Sequence, residues 1–199
     1  PASYVPPVVS QLTDDNGDGV VDERDTPDIV FVTISSHLNE ILNDNALLHV
    51  ISGDDCSEEF TVSPPAGYAY RTMPLVADVD ADGKPEILAL RGGIGYYGAV
   101  DSTMDIIAND GTIEHSCHGD RPDIGWQFNV ADLDRDGMPE ILSSSGDIWH
   151  ADCSHYARIE GAGGVSQPLV VDLDLDGDLE IVSRTTIFDH TGAPIGHLQ

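Results

Sequence analysis

Three segments of the chain place carboxylates on alternate residues, close the run with a glycine, and add one more acid three residues on. They are "DVDADGKPEIL" from Asp78, "DLDRDGMPEIL" from Asp132 and "DLDLDGDLEIV" from Asp172. Alternate residues on a tight loop can turn their oxygens toward one point. A hard cation such as calcium takes roughly six to eight oxygen ligands from such a loop, and a glycine at the sixth place permits the sharp turn. Without an ion, that many like charges would repel one another. The expected ligands are therefore Asp78, Asp80, Asp82, the backbone carbonyl of Lys84 and Glu86. Next come Asp132, Asp134, Asp136, the carbonyl of Met138 and Glu140. The last set is Asp172, Asp174, Asp176, the carbonyl of Asp178 and Glu180.

A fourth acidic segment, "DDNGDGVVDERD", differs in length. Asp14, Asn16 and Asp18 hold its first, third and fifth places, Val20 the seventh, Asp22 the ninth and Asp25 the twelfth. That is close to the EF-hand loop, with Asp in place of the final Glu. Asp22 and Asp25 are the favoured ligands, and Asp28 is the alternative counterpart of Glu86. The whole set predicts about four calcium sites.

These loops need elements that hold them in register. The acids Asp28, Glu86, Glu140 and Glu180 recur at spacings of 58, 54 and 40 residues, in the range of propeller blades. Around each loop lie short runs rich in Val, Ile and Leu, bounded by Gly, Asp, Asn and Pro. These are strand and hairpin signals, and no helical periodicity competes with them. The reading is an all-β, propeller-like fold of four four-stranded blades, with the acidic loop between first and second strands. The units fall at about 7–63, 74–119, 127–160 and 168–199, within one repeat domain over 1–199.

Composition narrows the partners. Acidic residues number 36 against 8 basic, a formal charge of −28, and Lys84 is the one lysine. Nucleic acid and anionic membrane surfaces are excluded as partners, because both need basic patches. No apolar run approaches a membrane span. No signal peptide is visible in the opening "PASYVPPVV"; a processed, mature start would look the same, so this does not argue for the cytoplasm. Four divalent ions would offset eight of the 28 charges and leave twenty; a solvated, repelling surface, a saline habitat or a cation-rich matrix are the readings for the remainder.

The three loop segments resemble the FG-GAP or VCBS-type repeat of integrin α-subunit propellers and of many secreted bacterial proteins. The family's literal signature is absent; "YYGAV" at Tyr96 is an echo of it. The resemblance implies a calcium loop between the first two strands of each blade. It also implies a secreted or cell-surface location and a role in adhesion, ligand binding or surface assembly. Partners on this reading are a protein or glycan ligand, or copies of the chain itself, and the chain is not an enzyme. The ninth-position Glu also looks like the loops of rhamnogalacturonan-lyase propellers. That implies an alternative: the propeller portion of a secreted carbohydrate-active enzyme. A structural subunit of a surface filament is a third reading.

Other residues carry weaker signals. "HSCHG" (His115, Cys117, His118) and "WHADCSHY" (His150, Cys153, His155) read as zinc ligands, as a Cys117–Cys153 disulfide or as buried thiols. Cys56 would be left over. Trp126, Trp149, Tyr68, Tyr70, Tyr96, Tyr97 and Tyr156 read as packing aromatics before sugar platforms. "RGGIGYYG" from Arg91 lacks the lysine and helix of a phosphate loop. No Ser-His-Asp set and no glycosidase acid pair stands out.

Overall fold

The computed structural model describes residues 3, 5–34, 46–65, 67–69, 72–95, 98–119, 127–159 and 168–198. It is all-β, with four antiparallel sheets of four strands each. Sheet 1 is β1 (Val8–Ser10), β2 (Asp28–Thr33), β3 (Leu47–Ser52) and β4 (Glu58–Val62). Sheet 2 is β5 (Leu75–Ala77), β6 (Glu86–Gly95), β7 (Gly98–Ile107) and β8 (Ile113–His118). Sheet 3 is β9 (Phe128–Ala131), β10 (Glu140–Ser143), β11 (Asp147–Trp149) and β12 (His155–Arg158). Sheet 4 is β13 (Leu169–Val171), β14 (Glu180–Ser183), β15 (Thr186–Phe188) and β16 (Pro194–His197). Each sheet is a simple meander in chain order. None closes into a barrel.

The registers are repeats of one another. The acid that opens each second strand pairs with the last residue of the first: Asp28 with Ser10, Glu86 with Ala77, Glu140 with Ala131 and Glu180 with Val171. One residue further on, Ile29, Ile87, Ile141 and Ile181 share a sheet face with Ile51, Ile107, Trp149 and Phe188. Two residues on, Val30, Leu88, Leu142 and Val182 share the other face with Val50, Ile106, Ile148 and Ile187. The side-chain period of two makes each central strand apolar on both faces, as a sheet stacked between sheets requires. A bulge falls at one place in all four sheets, where the third strand pairs with the fourth: at Val50/Ile51, Ile106/Ile107, Ile148/Trp149 and Ile187/Phe188.

The chain divides into two compact units, one of residues 1–78 and 82–118, the other of 79–81 and 119–199. In the first, Val30, Val50, Leu48 and Leu12 of sheet 1 and its loop form one core with Ile87, Ala89 and Ile107 of sheet 2, and Val76 packs against it. Tyr68 is fully buried in that core, bridging Ala46 and Arg91 through the backbone. In the second, Leu133, Leu142 and Ile148 of sheet 3 join Ile181 and Phe188 of sheet 4. The first strands β9 and β13 approach each other, and the Asn129 side-chain amide donates to the Pro168 carbonyl. Thus one sheet's second-residue face meets the next sheet's first-residue face in both units.

Two details sharpen the strand pattern read in the sequence. Arg91–Gly95 prolong β6, and Gly98 opens β7, in a long hairpin. Sheet 3, whose strands are the least distinct in the sequence, is complete. Burial of "EILS" and "DIW" at every position explains this, because a strand apolar on both faces shows no alternation.

Candidate metal centres in the acidic loops

All four acidic loops fold alike over their first seven places. The fourth residue has a positive φ: Gly17 at 73°, Ala81 at 58°, Arg135 at 63° and Leu175 at 62°. So does the sixth, a glycine each time: Gly19 at 87°, Gly83 at 88°, Gly137 at 90° and Gly177 at 95°. A side chain at the sixth place would be strained, which explains the invariant glycine. Its N–H donates to the first aspartate: Gly19 to Asp14 at 2.8 Å, Gly83 to Asp78 at 2.9 Å, Gly137 to Asp132 at 3.1 Å and Gly177 to Asp172 at 3.0 Å. The seventh N–H donates to the fifth aspartate: Val20 to Asp18, Lys84 to Asp82, Met138 to Asp136 and Asp178 to Asp176.

In three of the loops the anchor is the acid at the start of the second strand. Glu140 accepts the Leu133 N–H at 2.7 Å, and Glu180 accepts the Leu173 N–H at 2.8 Å. Asp28 accepts from Leu12 N–H at 3.2 Å and from Thr13 N–H and hydroxyl at 2.9 Å each. Register and hydrogen bonding therefore make Asp28 the counterpart of Glu140. Burial raises the pKa of both Glu140 and Asp28, and the amide bonds only partly offset it. The Nδ1 of His150 lies 3.3 Å from Oε1 of Glu140, outside hydrogen-bonding geometry.

Three groups of carboxylates bring one oxygen each within 4.8 Å of one another: Asp78, Asp80 and Glu86; Asp132, Asp134 and Asp136; Asp172, Asp174 and Glu180. Each could hold a metal ion. In each, Oδ1 of the first aspartate is buried and has no hydrogen-bond partner, as is Oε1 of Glu140. A buried carboxylate oxygen without a donor is costly unless something cationic meets it. The donor set is all oxygen and suits a hard divalent ion.

The first loop is built differently. Both oxygens of Asp14 are taken by loop amides, from Gly17, Asp18 and Gly19. Asp25 accepts from the N–H groups of Asn16 and Asp22. Arg24 is ion-paired to Asp22 at 2.7 Å and Asp18 at 3.0 Å, and its guanidinium lowers the Asp22 pKa. Among the described residues, no group of three carboxylates from this loop gathers as its sisters do.

The zinc reading fails on the cysteines. Cys117 and Cys153 are disulfide-bonded and Cys56 is an exposed free thiol, so in a chain of three cysteines the bond joins 117 to 153. Trp149 and Tyr68 are fully buried, as packing aromatics should be, and Tyr156 meets the His150 ring edge-on. Trp126, Tyr70, Tyr96 and Tyr97 lie outside the described residues.

The sequence reading passed over two buried ion pairs. Asp105 and Asp147, both fully buried, hold the same place on the third strands of sheets 2 and 3, immediately before the bulge. Arg91 Nη2 reaches Asp105 at 2.9 Å, and Ser116 donates to the same oxygen at 2.7 Å. Arg158 pairs with Asp147, with Ser145 donating at 2.9 Å. Burial pushes the Asp105 carboxyl up, against the pull of Ser116 and Arg91. It also pushes the Tyr68 phenol up, reinforced by the charge on Asp105.

Fold and loops together define a class: a serial array of four-stranded antiparallel sheets whose first inter-strand loops could hold metal ions. No protein-family model matches the chain, and no curated protein does. Solved structures do. The Vibrio cholerae biofilm matrix protein Bap1 matches with a TM-score of 0.72 and 25% identity, over 99% of this chain and 31% of its own. The exotype rhamnogalacturonan lyase YesX matches at 0.63 and 16%, over 96% of this chain and 40% of its own. A Bacillus licheniformis rhamnogalacturonan lyase matches at 0.61 and 18%, over 96% and 41%. The chain thus spans between 31% and 41% of these neighbours' lengths.

Proposed function

We propose that this chain is a secreted or cell-surface repeat module, its sheets arranged as propeller blades and each fastened by calcium, serving adhesion, ligand binding or surface assembly. The observation that carries this is the buried, unpartnered Oδ1 of Asp78, Asp132 and Asp172, at one place in three loops of the same geometry. Calcium would be held by the three carboxylate groups named above, with Asp82, Asp176 and Glu140 completing the acidic sets. The first loop, with Asp14, Asn16, Asp18, Asp22 and Asp25, is a fourth and weaker site, since its own amides already occupy Asp14. Loops of this kind fit the FG-GAP or VCBS type. The disulfide and the likeness to a biofilm matrix protein support an oxidising, extracellular setting. The ligand is a protein or a glycan. Native mass spectrometry with and without chelator tests the reading: three to four calcium ions per chain are expected, and none at millimolar calcium would overturn it.

A second reading rests on the likeness to rhamnogalacturonan lyases over 96% of the chain. Here the module would be the propeller portion of a secreted polysaccharide lyase. Release of unsaturated oligosaccharides from rhamnogalacturonan, followed by ultraviolet absorbance, would favour it over the adhesive reading.

A further inference from the structure

The acidic loop of sheet 3 differs from its sisters at the glutamate that opens the second strand. In sheets 2 and 4 that glutamate gathers with two loop aspartates: Glu86 with Asp78 and Asp80, Glu180 with Asp172 and Asp174. In sheet 3 the gathered group is Asp132, Asp134 and Asp136, without Glu140. Glu140 is fully buried, and its Oε1 has no hydrogen-bond partner. That oxygen lies 3.3 Å from Nδ1 of the partly exposed His150. The two are too poorly aligned for a hydrogen bond, so the ring nitrogen leaves the buried oxygen unsatisfied.

Register explains why a nitrogen reaches this place in sheet 3. The third-strand partners of Ile87, Ile141 and Ile181 are Ile107, Trp149 and Phe188. The residue after each, one step toward the strand-opening glutamate, is Ala108, His150 and Asp189. In sheet 1 it is Ser52, which pairs with Asp28. Alanine has no ligand to offer. Asp189 folds back on its own turn, where Oδ1 accepts from Thr191 and Ala193. Of these four positions, the one in sheet 3 carries a nitrogen donor. The Tyr156 ring meets that imidazole edge-on at 5.3 Å and fixes its plane. The disulfide removes Cys153 from any zinc site, but it leaves His150 in place.

We propose that the loop of sheet 3 takes a first-row transition ion of the zinc type in preference to calcium, held by Nδ1 of His150 and Oε1 of Glu140, with the loop aspartates completing the shell. This rests on the reading that the acidic loops bind cations, and it names a different ion for one of them. Imidazole suits zinc and its neighbours in the series, whereas calcium takes oxygen. Two ligands on a tetrahedral zinc, at bonds of about 2.0–2.1 Å, stand about 3.3–3.4 Å apart. Nδ1 and Oε1 already have that spacing, at 3.3 Å. An ion between them meets the orphaned carboxylate oxygen and the imidazole together. Supplied with calcium alone, the loop still takes calcium on its carboxylates.

The test is ion competition read by native mass spectrometry, with zinc chloride as the probe. Every chain carries C56S, which removes the exposed thiol as a stray zinc ligand. At millimolar calcium and micromolar zinc, the chain with His150 is expected to exchange one calcium for one zinc. H150A is expected to lose at least about tenfold in zinc affinity, while its calcium count without zinc stays the same and reports that it folds. H150Q repeats the comparison with a side chain of closer size. H155A changes a neighbouring exposed histidine and is expected to bind zinc as before. A chain that takes no zinc against calcium overturns the inference, as does one whose zinc survives both H150A and H150Q. The calcium reading of the sister loops is judged separately, by the calcium count in zinc-free buffer. Zinc lost with His150 supports the inference whatever that count is.

Discussion

The backbone N–H of Leu133 donates to Oε2 of Glu140 at 2.7 Å, while Oε1 of the same buried carboxylate has no hydrogen-bond donor. One oxygen fixes the loop to the strand, and the other has the His150 ring 3.3 Å away. A cation that binds only the folded chain stabilises it by mass action, by about 2.7 kcal/mol per site at a hundredfold excess over Kd. Calcium is expected to raise the melting temperature sharply and excess EDTA to reverse it. Identical melts in calorimetry under the two conditions would count against structural calcium.

Loss of single sites should be countable. D132N and D172N each change an oxygen that lacks a partner, and each is expected to remove one calcium from the native mass spectrum. D14N changes a carboxylate whose oxygens already cap loop amides, so it is expected to loosen the loop with a smaller effect on the tight-site count. If D14N removed a tight ion and D132N did not, the ranking of the loops would be wrong.

The Arg91–Asp105 pair concerns stability alone. D105A strands a half-buried guanidinium, and breaking such a pair typically costs about 3–5 kcal/mol. The pH dependence has a definite sign. Burial raises the Asp105 pKa in the fold, so the folded chain takes up this proton more readily than the unfolded one. This group therefore favours the fold as pH falls through the raised value, until the unfolded chain protonates too, near the ordinary value of about 3.9. Urea unfolding of wild type against D105N across acid pH should show that difference; parallel profiles would contradict it.

Arg135 and Gly177 separate charge from shape. Arg135 lies 2.8 Å from Asp178, but both side chains are half-exposed, so R135A is expected to cost at most about 1 kcal/mol. Gly177 has φ +95°, and a Cβ there would lie 2.7 Å from the Arg135 guanidinium. G177A is expected to cost more, about 1–3 kcal/mol. The two denaturation midpoints decide the order.

The Cys117–Cys153 bond is expected to contribute about 3–4 kcal/mol through the unfolded state. A reducing agent should lower the melting temperature, whereas alkylation of exposed Cys56 alone should not. Equal melts before and after reduction would show that the bond adds nothing.

Much of this was legible in the sequence. The all-β class followed from short apolar runs and turn residues, and the loop acids from their spacing and from Gly83, Gly137 and Gly177. Asp28 was harder. Its role depends on pairing with Ser10 across an insertion, and spacing alone favoured Asp22 and Asp25. The Arg91–Asp105 and Arg158–Asp147 pairs left no local trace, because their partners are distant in sequence and meet only through strand register. The disulfide was one of three readings until pairing removed the zinc ligands.

The bulge repeated between third and fourth strands has a consequence for solubility. An extra residue bends and twists the outer strand, so β4, β8, β12 and β16 present a poor template for pairing with a foreign strand. Glu58 and Glu59 on β4 and Glu114 on β8 add charge at two of those rims. These edges are thereby guarded against fibrous, edge-to-edge aggregation.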